Sequence, residues 1–146
     1  MELSGKRVLL VEDNAINMEI AHAILEEEHL NITEAKNGKE AFEIFQNSKL
    51  SEYDIIIMDV MMPVMDGLEA TKAIRMLERE DAKKIPIIAM TANAFEEDRK
   101  ACLDAGMDEH IGKPIDIPLL KRAIMKLLTK KGYRNAGSCS VTTKQE

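Results

Sequence analysis

Short apolar runs alternate along the chain with stretches in which apolar residues recur every three or four positions. Residues 8–11, Val-Leu-Leu-Val, form the first run, and Glu12-Asp13-Asn14 cuts it off. Ile16, Ile20, Ala23 and Ile24 then recur at helical spacing and predict a helix to about Glu28. Residues 32–35 give a second strand and Asn37-Gly38 a turn; Ala41, Phe42 and Phe45 are the apolar face of a second helix ending near Ser48. The third run, 54–59, is Asp-Ile-Ile-Ile-Met-Asp. Its four consecutive apolar residues, mostly β-branched, predict a strand buried on both faces, with Asp59 where that strand leaves the core and in reach of solvent. Pro63 and Asp66-Gly67 punctuate the loop that follows.

Residues 67–79 are helical by Ala70, Ile74 and Leu77, and the charged connector 80–84 is predicted to be solvated loop. A fourth strand spans 86–90 and ends in Thr91. A fourth, weaker helix spans 95–105, with Phe95, Cys102 and Leu103 as its inner face and Gly106 as its stop. Residues 108–111 make a short fifth strand and Gly112-Lys113-Pro114 a loop. Leu120, Ala123, Ile124, Leu127 and Leu128 then mark the clearest amphipathic helix in the chain. Five strands alternating strictly with five helices predict a doubly wound α/β domain, a parallel sheet with right-handed crossovers and helices on both faces. The domain is assigned to residues 6–129, with a leader at 1–5 and a polar, mobile tail at 130–146.

Size and charge narrow the classes. At 146 residues the chain suits one domain with one core, and 45% hydrophobic residues exclude a disordered composition. A formal charge of −6 argues against a general nucleic-acid binder and favours cationic ligands. No apolar run approaches the length of a membrane span and no signal peptide precedes the first strand. Cys102 and Cys139 have no pairing logic, which fits a reducing cytoplasm. The sequon Asn31-Ile32-Thr33 is read as chance, and Met58, Met61, Met62 and Met65 as filler rather than ligands for a soft metal.

In doubly wound sheets ligands bind outside the carboxyl ends of the strands, and here those ends carry Glu12, Asp13, Asp59, Thr91 and Lys113. Carboxylates converging on one point repel, and a divalent cation is the simplest remedy. Hard oxygen donors suit Mg²⁺. Asp59 is then both a ligand and a possible nucleophile, since a carboxylate can accept a phosphoryl group as an acyl phosphate. The Thr91 hydroxyl and the Lys113 ammonium could neutralise charge on phosphoryl oxygens. Taken singly, these residues have plainer readings: Asp13 or Asn14 as a helix cap, Thr91 as a strand end, Lys113 as a solvated loop residue. Their coincidence on one sheet edge favours a site.

Over about residues 6–129 the chain resembles the receiver domain of bacterial response regulators. The likeness rests on Leu9-Leu10-Val11-Glu12-Asp13-Asn14, on Ile57-Met58-Asp59-Val60-Met61-Met62-Pro63-Val64-Met65-Asp66-Gly67, on Ala89-Met90-Thr91-Ala92 and on Gly112-Lys113-Pro114, in family order. Asn14-Ala15-Ile16-Asn17, Ala92-Asn93-Ala94 and Ala105-Gly106-Met107-Asp108 look most like receivers appended to hybrid histidine kinases. The resemblance implies a flavodoxin-like sheet of order 2-1-3-4-5, Asp59 as phosphoacceptor, and Glu12, Asp13, Asp59 and the Met61 carbonyl as ligands for Mg²⁺ or Mn²⁺. It implies Thr91 and Lys113 as contacts to the phosphoryl group and a cis peptide before Pro114. Met61 and Asn93 fall where family members tune phosphoryl lifetime.

His110 stands where the family usually carries a switching Tyr or Phe, and is either a switch residue or a half-exposed strand histidine. The expected donor is a histidine kinase core or a histidine phosphotransfer domain, docking near the first helix. The expected chain is a cytoplasmic piece of a hybrid sensor kinase, with no contact of its own to nucleic acid or membrane; a stand-alone single-domain regulator is the alternative. Two other classes remain open. One is an aspartyl-phosphate phosphatase of the haloacid dehalogenase type, against which Asp59 follows the third strand without an Asp-x-Asp pair. The other is a receiver-like scaffold never phosphorylated, against which all five site residues are retained, or a flavin binder, against which no Ser/Thr/Gly-rich phosphate loop follows Val11.

Overall fold

The computed structural model describes residues 4–60, 62, 64–91, 96–112 and 115–135. Five strands, β1 (Arg7–Val11), β2 (Asn31–Ala35), β3 (Ile55–Asp59), β4 (Ile87–Thr91) and β5 (Glu109–Gly112), form one parallel sheet. Their order is β2-β1-β3-β4-β5. Six helices are present among the described residues: α1 (Ala15–Glu26), α2 (Gly38–Gln46), α3 (Gly67–Arg75), α4 (Glu80–Lys84), α5 (Glu96–Ala105) and α6 (Ile117–Asn135).

The sheet divides the core in two. Leu9, Ile56 and Met58 pack with Phe45 of α2, Ile74 of α3 and Cys102 of α5. Leu10, Ile57 and Ile88 pack with Leu25 of α1 and with Leu120 and Ile124 of α6. Alternate residues of one strand thus feed opposite layers, and all five residues of β3 and of β4 are buried. The five apolar positions read as the face of the last helix, Leu120, Ala123, Ile124, Leu127 and Leu128, are all buried.

Several expectations are corrected. The helical set in α1 included Ile16 and Ile20, yet these are 68% and 51% exposed, while Met18, Ala21 and Leu25 are buried. Apolar residues occupy most positions of this helix, so periodicity leaves its phase open and docking onto the sheet decides it. The connector 80–84 is a short helix, not a solvated loop. Its Ala82 is fully buried, and the Arg79 and Asp81 side chains beside it are largely enclosed. Leu103 is 44% exposed and belongs to the outer face of α5, whereas Cys102 is inward as expected; Phe95 lies outside the described residues. Asn37 is a helix cap rather than half of a turn, its side chain accepting from the Glu40 N–H at 2.8 Å. The boundary expected at 129/130 falls inside α6, which continues to Asn135.

Candidate functional site: an acidic cluster at the carboxyl edge of the sheet

The site is built by strand register. Val11 pairs with Met58, so the next residues, Glu12 and Asp59, leave neighbouring strands side by side. The Glu12 N–H still bonds the Ala35 carbonyl at 3.1 Å, prolonging the ladder, and Glu12 is 2% exposed. Its carboxylate accepts from the Asn14 N–H at 3.2 Å, which fixes the turn into α1. Asn14 caps that helix by accepting from the Asn17 N–H at 2.9 Å, so the capping role falls on Asn14 and not on Asp13. Asp13 is exposed.

Asp59 was expected in reach of solvent but is 4% exposed. The start of α3 is tied back to the end of β3: the Gly67 N–H bonds the Val60 carbonyl at 2.8 Å. A Cβ at Gly67 would lie 2.5 Å from the Asp59 carbonyl oxygen, so only glycine permits the approach. Asp66 and Glu69 close a capping box at the start of α3, which anchors the loop's far end. The Asp-Gly seen in the sequence as turn punctuation thus seats the start of α3 against the backbone at the end of β3.

Glu12, Asp13 and Asp59 each offer an oxygen, and these lie within 4.8 Å of one another. Such carboxylates repel by roughly 1–4 kcal/mol per pair at the dielectric of a protein surface, so a cation between them is strongly favoured. The donors are hard oxygens of formal charge −3 in all, two of them enclosed by the protein, and this set fits a small divalent ion. An open cavity of about 430 Å³ adjoins, lined by Glu12, Asp13, Met18, Glu19, Glu34 and Lys36 among others.

Thr91 lies at the end of β4, one residue beyond Met90, which pairs with Asp59, and it is 3% exposed. Met61, Lys113 and Pro114 lie outside the described residues, as does Asn93. His110 pairs with Ala89 on the edge strand β5, is half-buried, and lines a separate open groove of about 500 Å³ against α6 with Leu119, Arg122 and Lys126. It is not a member of the acidic cluster.

Comparison with known proteins agrees with this architecture. The model of the response regulator receiver domain family matches residues 8–136. The chain is 38% identical over 148 residues to hybrid signal transduction histidine kinase I of Dictyostelium discoideum, covering 97% of this chain and 8% of that protein. To hybrid signal transduction histidine kinase M of the same organism it is 42% identical over 125 residues, covering 85% and 5%. It therefore spans less than a tenth of either relative. Among solved structures, the receiver domain of a sensor histidine kinase from Pseudomonas aeruginosa PAO1, with a magnesium ion coordinated in its active site cleft, superposes with a TM-score of 0.77 at 36% identity, covering 86% of this chain and 99% of that one. A chain of the Saccharomyces cerevisiae co-crystal of the histidine phosphotransfer protein Ypd1 with the receiver domain of Ssk1 superposes with a TM-score of 0.79 at 29% identity, covering 90% and 94%. The chain belongs to the response regulator receiver domain family, the receiving modules of two-component phosphorelays.

Proposed function

We propose that the chain accepts a phosphoryl group from a protein phosphohistidine onto the Asp59 carboxylate, with Glu12 and Asp13 completing an Mg²⁺ site, and that it is one module of a hybrid sensor histidine kinase. The observation that carries this reading is the convergence of the three acidic side chains within 4.8 Å at the end of the central strand. Mn²⁺ offers the same hard-acid chemistry and is an acceptable substitute. A stand-alone regulator would use the same site; the 38–42% identity to hybrid kinases supports the module.

In the step itself an Asp59 oxygen attacks phosphorus, the P–N bond to the donor imidazole breaks, and the released ring nitrogen is protonated as the acyl phosphate forms. A divalent cation held by Glu12, Asp13 and Asp59 would neutralise charge on the carboxylates and phosphoryl oxygens. The low exposure of Asp59 restricts the attacking oxygen and limits water around it. On this reading Thr91, two strand steps from the Ala89 that pairs with His110, responds to new charge at Asp59. We assign it and Lys113 to phosphoryl contact, with the Met61 carbonyl on the cation and His110 as the candidate relay along β5. Output is a changed docking surface over α5, β5 and α6. Ile16 and Ile20, exposed on α1 directly after Asp13, provide an apolar surface for the donor, a kinase core or histidine phosphotransfer domain. Two cysteines at unrelated places fit a cytoplasmic setting, alone or tethered to a membrane-bound kinase.

Incubation with acetyl phosphate and Mg²⁺ should add one phosphoryl mass to the intact chain. EDTA should abolish the addition and Asp59→Asn should prevent it. An unmodified wild-type chain, or equal modification of the variant, contradicts the reading.

A further inference from the structure

Val64 holds a backbone conformation that valine avoids. Its φ is +71°, and of the non-glycine residues with positive φ among those described, His29, Ser51 and Val64, it alone is β-branched. In that region a branched Cβ crowds the backbone, and Gly or Asn would relieve the strain. The side chain gains nothing inside the fold in return, since Val64 is 76% exposed. An apolar residue kept at a strained, solvated position is explained by a contact made only in a complex.

Its place says which complex. Gly67 lies against the Asp59 carbonyl, and Val64 is three residues before it, so its Cα is within about 15 Å of that atom. A protein interface of ordinary size covers about 800 Å² per partner, a disc of about 16 Å radius. Any protein that delivers a phosphoryl group to Asp59 must centre its interface there and will cover Val64. Ile16 and Ile20, three and seven residues beyond Asp13, are further exposed apolar groups on the helix that follows the cluster's Asp13.

We infer that Val64 is an apolar docking anchor for the phosphodonor protein and sets the preference for a protein donor over a small one. This rests on the phosphoacceptor reading above. The partner it fits is a protein whose reactive histidine is rimmed by apolar side chains.

The test compares transfer from phosphorylated Ypd1 with transfer from acetyl phosphate, taken as a ratio of rates, for wild type, Val64→Thr and Val64→Asn. Val64→Thr keeps the branched shape and removes the apolarity; Val64→Asn also relieves the strain. Both variants should lower the ratio by about fivefold or more, and Val64→Asn should do so while raising the thermal midpoint, which a merely structural valine would not do. An unchanged ratio in both variants overturns the inference, as does a wild type that takes the group from acetyl phosphate but not from phosphorylated Ypd1; both leave the phosphoacceptor reading standing. A wild type that takes it from neither donor refutes that reading itself.

Discussion

Arg79 ties the start of α4 to the chain at the end of α2, 31 to 34 positions earlier. Its Nε and Nη2 donate to Asp81 at 2.7 and 2.9 Å, while Nη1 donates to the Phe45 and Ser48 carbonyls at 2.8 and 3.1 Å. The guanidinium also lies 4.6 Å over the Phe45 ring. It therefore closes the C-terminus of α2, the loop into β3 and the start of α4. The hydrogen bond to Asp81 holds the Arg79 guanidinium above its ordinary range against the opposing effect of burial. Burial pushes the Asp81 carboxyl up, but hydrogen bonds from Arg79 and from the Ser51 N–H outweigh it and hold the group below the usual carboxylate range. A carboxyl depressed on folding contributes stability above its unfolded value and loses it as pH falls through the folded one. The stability difference between wild type and Asp81→Asn, measured by urea unfolding, should be largest near neutral pH and shrink in the acid range below the ordinary carboxyl value. Arg79→Ala should cost about 2–4 kcal/mol, because it removes the ionic partner of Asp81 and several charge-assisted hydrogen bonds to the carbonyls that end α2. Gly67→Ala should cost about 1–3 kcal/mol by forcing the 60–67 loop off the Asp59 carbonyl, and should also slow labelling at Asp59. Denaturation and intact mass on the same sample separate the two effects.

Among the elements, α1 makes the sharpest prediction because its burial defied its periodicity. Leu25→Ala should cost about 2–4 kcal/mol, since Leu25 is 1% exposed, whereas Ile16→Ser at an exposed site should change stability by no more than about 0.5 kcal/mol. Equal losses in thermal or urea unfolding would place Ile16 in the core and remove the surface proposed for the donor. Strands β1, β3 and β4 and the face of α6 were legible from sequence, because continuous apolar runs and a wide apolar stripe admit one placement each. The phase of α1 was not, because Ala15, Ile16, Met18, Ile20, Ala21, Ala23, Ile24 and Leu25 leave little polar contrast. The helix α4 was missed for the opposite reason: its only apolar residue is Ala82, and its reason for folding is the Arg79–Asp81 pair and the burial of that alanine. That Glu12, Asp13 and Asp59 meet was readable from the strand ends, but the burial of Asp59 was not. Nor was the approach of Gly67 to the Asp59 carbonyl eight residues upstream, a contact with no periodic signature.

Across the whole molecule, charge and topology converge on one point. A chain of net charge −6 gathers three of its carboxylates at the edge of a parallel sheet, beside the strand that is buried on both faces. The rigid strands fix the cluster, and the capped loops after β1 and β3 decide which oxygens are reachable. Sheet order and family membership make the chain a receiver; the claim that goes furthest is that Asp59 is the group that carries the phosphoryl. Treatment with acetyl phosphate and Mg²⁺, reduction of any acyl phosphate with borohydride, and peptide mapping by mass spectrometry test it most directly. The account predicts conversion of Asp59, and of no other acidic residue, to homoserine. Conversion at Asp13, Asp54 or Asp66 with Asp59 unchanged would contradict it.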